Sequence, residues 1–186
     1  MSLLAGNLSA VQGLLDEAGL SWGVCAGAAA HLYGVRRPIE NVDILLPLGW
    51  LQQVRDLLAR KGHAAQYDGH ILLWRGIKLF EDLSVTIAGR RFIFLMDTLM
   101  ESRLRRQMLL GSRVLVLAPE DVLAHKALLT LGDRSPGKHH REDLLAVAQR
   151  QKETLDLAYL ARRLDLCQAR QQVQALLEEA GLTLPG

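Results

Sequence analysis

The apolar positions change period along the chain, and the changes mark out its elements. Leu8, Val11, Leu14, Leu15 and Ala18 fall on one helical face, which predicts a helix over 8–18 that stops at Gly19. A short apolar run at 21–26, holding Trp22 and Val24, predicts a strand. Small residues over 28–33, ending at Gly34, predict a short helix. Residues 42–46 predict a second strand closed by Pro47. Leu51, Val54, Leu57 and Leu58 share one face of a predicted helix over 48–60, which Gly62 ends. From 63 to 95 the pattern shortens to strands at 63–67, 71–74, 77–80, 83–87 and 92–95, with Asp68-Gly69 and Ala88-Gly89 as turns. Residues 98–110 predict a basic helix carrying Arg103, Arg105 and Arg106, and 114–117 one more strand. Pro119 opens a helix running to about 131, with Glu120 and Asp121 at the positive end of its dipole. A loop over 132–140 precedes helices over 141–151, 156–164 and 168–180.

This order predicts an α/β (α+β) body over 1–117, a mixed sheet flanked by helices, with a helical C-terminal part over 118–186 packed on it. Composition changes little in that picture. With 186 residues, 49% of them hydrophobic, the chain can bury a sizeable core. A formal net charge of +2 does not call for nucleic acid, and no aromatic residues interleave the basic ones to stack bases. The N-terminus has no secretory pattern, and the apolar runs are too short for a bilayer. Cys25 and Cys167 form no metal-type pair, so a reduced, cytoplasmic protein is the simplest reading.

Candidate chemistry gathers between Ala26 and Pro47. A strand leads into Gly27, where backbone can approach a ligand closely. A helix N-terminus follows at Ala28, and its N–H groups suit a phosphate. The next strand then presents Asn41 and Asp43 on one face, because side chains alternate along a strand. Two carboxylates at such a spacing hold a divalent ion with oxygen ligands, and the ion aligns groups for phosphoryl-type transfer. Here one of the two positions is an amide.

The stretch resembles the first motif of the nucleotidyltransferase superfamily, in the form of its minimal members. That family writes a Gly-Gly or Gly-Ser pair, a small residue two places on, and a Gly ahead of an Arg-x-Thr-x-Asp-x-Asp strand. Gly27, Ala29, Gly34, Arg37 and Asp43 fall in register. Ala26 stands in place of the first Gly, Ile39 of the Thr and Asn41 of the first Asp. Downstream, Val116 to Lys126 and Gly137 to Leu144 are similar to the strand-turn-helix and the Gly-Lys-x-x-x-x-Asp loop of minimal nucleotidyltransferase-like proteins. The resemblance implies Mg²⁺ held by Asp43 and a third carboxylate, Glu81 or its neighbour Asp82, assisted by Asn41. It implies a nucleoside triphosphate cradled by Gly27 and Ala28, with Arg37 and Lys126 on its phosphates. The product would be a nucleoside monophosphate joined to an acceptor. The alternative is a non-catalytic member that binds nucleotide or a protein partner, as in a toxin–antitoxin-like pair. Asn41 weighs toward that alternative, since an amide brings no charge to a Mg²⁺ site.

Other residues have plainer readings. Asp43, ahead of the apolar run Ile44-Leu45-Leu46, needs a partner, and Arg37 or a phosphate would serve. Lys126 is either a solvated helix lysine or a phosphate contact. His139, His140 and Asp143 lack a closing metal-ligand spacing and read as a surface loop.

Overall fold

The computed structural model describes residues 2–134 and 138–186. Its contacts group the chain into two compact units.

The first unit comprises Met1–Ala28, Pro38–Asp82 and Leu95–Leu117. Its centre is a mixed seven-stranded sheet of β1 (Gly23–Cys25), β2 (Val42–Leu45), β3 (Gln66–Tyr67), β4 (Ile71–Trp74), β5 (Ile77–Phe80), β8 (Arg105–Leu109) and β9 (Ser112–Val116). The order across the sheet is β3-β4-β5-β2-β1-β9-β8. β1 runs parallel to β9 and antiparallel to β2, and β2 runs parallel to β5. Helices α1 (Leu3–Glu17) and α3 (Leu51–Arg60) pack on this sheet. Leu8, Val11 and Leu15 of α1 are fully buried, as their one-face spacing requires. The helix starts earlier than the apolar face suggests because Ser2 caps it, its side chain accepting from the Ala5 amide at 3.3 Å. Asn7 then ties α1 to the β4–β5 turn, its amide donating to the Arg75 carbonyl at 2.9 Å.

The predicted basic helix over 98–110 is not what forms. A single helical turn, α4 (Thr98–Glu101), is capped by Asp97, which accepts from the Met100 amide at 2.8 Å. The chain then enters β8, an antiparallel partner of β9. The turn between these strands is Leu110-Gly111, with φ of 50° and 87°. Two successive left-handed residues make the tight hairpin that matches strand twist. Arg105 and Arg106 therefore alternate across a strand instead of sharing a solvated helix face with Arg103.

The second unit comprises Ala29–Arg37, Leu83–Phe94 and Ala118–Gly186. It takes up most of helix α2 (Ala26–Leu32) and of the two-stranded sheet of β6 (Asp82–Ile87) and β7 (Arg90–Leu95). Helix α5 (Pro119–Leu131) is its centre, and α6 (His140–Gln151), α7 (Leu157–Leu166) and α8 (Arg170–Glu179) pack against it. Helix α5 is buried on nearly every side, including Glu120, Asp121, His125 and Lys126. An all-round buried helix with four ionisable groups must have internal partners. Asp121 meets Tyr159, whose hydroxyl donates at 2.8 and 3.0 Å, and Arg163, whose Nε lies 3.1 Å away. Glu120 accepts from the Asp156 amide at 2.8 Å. Among the described residues no helix is long and apolar enough to cross a membrane.

Candidate functional site

The turn from β1 into α2 is strained where the resemblance expects glycine. Ala26 has φ of 51°, in the left-handed region that favours glycine. The first member of the family's glycine pair thus has a backbone reason here, and this chain tolerates a methyl group in its place. At Gly27 an added Cβ would meet nothing within 4 Å, so the backbone there faces open space. Ala28 behind it is buried.

Asn41 directly precedes β2 and is half-buried. Asp43 lies within the strand, half-buried, between the buried Val42 and Ile44. Its register neighbours are Cys25 on the antiparallel β1 and Lys78 on the parallel β5. Burial alternates along β5 as well, with Ile77 and Leu79 fully buried and Lys78 and Phe80 only partly so. One face of the β2–β5 pair is therefore apolar core, and the other carries Asp43 and Lys78 side by side.

Glu81 follows the last residue of β5, and its carboxylate is engaged elsewhere. It accepts the backbone amide of Leu51, the first residue of α3. Trp50, at the cap position of that helix, offers no side-chain hydrogen bond, so Glu81 supplies both the acceptor and the negative charge that the helix start favours. Asp82 is the first residue of β6.

Mg²⁺ needs several oxygen ligands in near-octahedral geometry and little competing positive charge. The residues at hand do not fit it. Asn41 contributes no charge, Glu81 is bonded to Leu51, and the neighbour of Asp43 across the strands is an ammonium. Among the described residues no group of three or more His, Cys, Asp or Glu side chains is arranged to hold a metal ion.

In the second unit, Arg37 and Lys126 converge on one acid, Asp143. Lys126 Nζ lies 2.7 Å from Asp143 Oδ2, and both side chains are almost fully buried, at 4% and 2% exposure. The Arg37 guanidinium bonds the other oxygen, Oδ1, and also lies 3.8 Å from Glu142. Asp143 is thus the centre of an ion triad in which it and Lys126 are buried and Arg37 is partly exposed. His139 turns to Glu142 instead, at 2.6 Å. His140 is held near a pKa of about 4, first by desolvation and then by the Lys126 charge. His125, fully buried one residue before Lys126, is pushed down to about 3 by burial, with Lys126 and His140 adding to it. Gly34 has φ of 125°, and a Cβ there would come within 2.9 Å of the Arg150 side chain, so contact with α6 accounts for it. Of the Gly-Lys-x-x-x-x-Asp resemblance, Gly137 lies outside the described residues.

Lys78 stood outside the residues expected from sequence and becomes visible only through strand register. Asp143, read with His139 and His140 as a surface loop, instead lies in α6 and is buried by its packing on α5.

No protein-family model matches the chain, and no curated protein matches it. Solved structures do. The crystal structure of ANT(2'')-Ia in complex with adenylyl-2''-tobramycin superposes with a TM-score of 0.60 at 12% identity, covering 91% of this chain and 99% of that one. The solution structure of the same antibiotic-resistance factor gives 0.57 at 13% identity, covering 95% of each chain. An antigenic nucleotidyltransferase-like protein from Paracoccidioides brasiliensis gives 0.50 at 14% identity, covering 98% of this chain and 94% of that one. The chain has the fold of the nucleotidyltransferase superfamily.

Proposed function

We propose that this protein binds a nucleoside triphosphate on the nucleotidyltransferase fold and does not carry out ordinary metal-dependent nucleotidyl transfer. The observation that carries this reading is the charge set on β2 and β5: one carboxylate, Asp43, beside one ammonium, Lys78, with the amide Asn41 where a second acid would be needed. Two-metal or even one-metal transfer relies on cations that neutralise the developing charge, and a single acid with a lysine at its register position on the adjoining strand gives them a poor seat. Nucleotide binding itself is supported by the fold and by the open backbone at Gly27. A protein of this fold, ANT(2'')-Ia, takes adenylyl-2''-tobramycin, a ligand that carries an adenylyl group.

Calorimetric titration of ATP, GTP, CTP and UTP, with Mg²⁺ and with EDTA, tests the reading. Binding of at least one triphosphate in EDTA is expected. No heat at millimolar nucleotide would sink it. Binding that appears only with Mg²⁺ and vanishes in Asp43→Ala would support instead an active transferase with Mg²⁺ on Asp43, Asn41 and Glu81.

A further inference from the structure

The pairing of Asp43 with Lys78 does more than weaken a metal site. Neighbouring strands lie about 4.8 Å apart, and residues opposite one another project from the same face. Across β4 and β5 the register partner of Lys78 is Leu73, so Leu73, Lys78 and Asp43 form one row over three strands. Lys78 also lines a cavity of about 300 Å³, together with Gln66, Tyr67, Asp68, Ile71, Leu73 and Phe80, in which the Asp68 carboxylate accepts the His70 and Ile71 amides at 2.8 and 2.7 Å. Lys78 is the lining residue whose register neighbour on β2 is Asp43.

We propose that Lys78 is the site's built-in cation, meeting the phosphate groups of a nucleotide that binds without a divalent ion. The proposal rests on the nucleotide-binding reading above. A divalent ion at Asp43 would gain one carboxylate and meet an ammonium on the adjoining strand. A phosphate in the same place meets three N–H donors carrying a full charge, which is sufficient for phosphate recognition. Asp43 is the register neighbour of Lys78 on the adjoining strand, so the two charges stand on one face of the sheet. Tyr67 and Phe80 give the cavity ring surfaces against which an uncharged part of the ligand can pack.

Two titrations on the full chain test this. ATP is titrated by calorimetry into wild type and Lys78→Met, each in EDTA and in Mg²⁺. Mn²⁺ is titrated without nucleotide, followed by its paramagnetic resonance, into Asn41→Asp and Asn41→Asp/Lys78→Asp. The expected results are wild-type ATP affinity that does not need Mg²⁺, and a loss of about tenfold or more in Lys78→Met, the scale of one charge-assisted hydrogen bond. The double variant should bind Mn²⁺ clearly more tightly than Asn41→Asp, because the ammonium is gone and an acid stands in its place. ATP affinity that requires Mg²⁺, or that Lys78→Met leaves unchanged with a native circular dichroism spectrum, overturns the proposal. So does equal Mn²⁺ affinity in the two metal-site variants. If ATP binds neither protein, the nucleotide reading falls, and the Mn²⁺ comparison alone decides whether Lys78 holds the cation's place.

Discussion

Removing the Asp143 carboxylate isolates the ion triad of the second unit. In Asp143→Ala, Lys126 keeps its charge in a site only 4% exposed and loses the oxygen 2.7 Å away. Arg37 also loses its partner, but at 40% exposure water can replace much of that contact. The dominant cost is therefore the stranded ammonium. Breaking a buried pair by deleting one member costs about 3–5 kcal/mol. For a chain of this length that is a fall in Tm of roughly 6–20 °C, taking about 2–4 °C per kcal/mol. Urea unfolding followed by far-ultraviolet circular dichroism measures it directly. The same reasoning requires that Lys126→Met/Asp143→Leu recover most of the loss, since replacing a buried ion pair by packed apolar groups is often neutral or better. A loss below about 1 kcal/mol for the single variant, the range of an exposed pair, would refute the argument. A double variant as unstable as the single one would refute it too.

Three further outcomes follow from particular residues. Ala26→Gly relieves a left-handed φ worth about 1–2 kcal/mol and gives back about 0.4–1 kcal/mol in unfolded-chain entropy, so the denaturation midpoint should rise slightly; a clear fall would mean that the Ala26 methyl packs in a way that outweighs the strain. Glu81→Ala should cost about 1 kcal/mol through the lost cap on α3 and leave nucleotide affinity unchanged, whereas loss of a Mg²⁺-dependent affinity would mark Glu81 as a metal ligand. His125 has a folded pKa of about 3, below its unfolded value, so between pH 6.5 and 3 the unfolded chain binds a proton that the folded one refuses. Stability contributed by this group is present above pH 6.5 and is lost as pH falls, with a slope approaching 1.4 kcal/mol per pH unit. Urea midpoints measured from pH 7 to 4 should show that slope, and His125→Phe should flatten it.

The parts of the fold that were legible in sequence are those set by local pattern. Ile71–Trp74, Ile77–Phe80 and Pro119–Leu131 form as their spacing, flanking turns and proline at the first turn indicate. The stretch from Arg103 to Leu110 misleads because its leucines and arginines fit a helix about as well as a strand. The decision is made by β9, which offers an antiparallel edge after the Leu110-Gly111 turn. The candidate site divides in the same way. The stretch from Gly27 to Asp43 is contiguous, so its likeness to the family's motif, with Asn41 in place of an acid, lies within one run of sequence. Lys78 lies outside that run, and register between β2 and β5 joins residues thirty-five positions apart. Glu81 sits beside the site in sequence, but a helix start thirty residues away claims its carboxylate. Lys126 and Arg37, expected on phosphates, both bond an acid that reads in sequence as part of a histidine-rich loop.

The central claim is that nucleotide binding and transfer are separated in this protein. Pyrophosphate release in the presence of each nucleoside triphosphate and Mg²⁺, assayed beside calorimetric binding on the same preparation, tests it most directly. Bound nucleotide with no release above that of buffer is the expected result. Mg²⁺-dependent release that Asp43→Ala abolishes would contradict it.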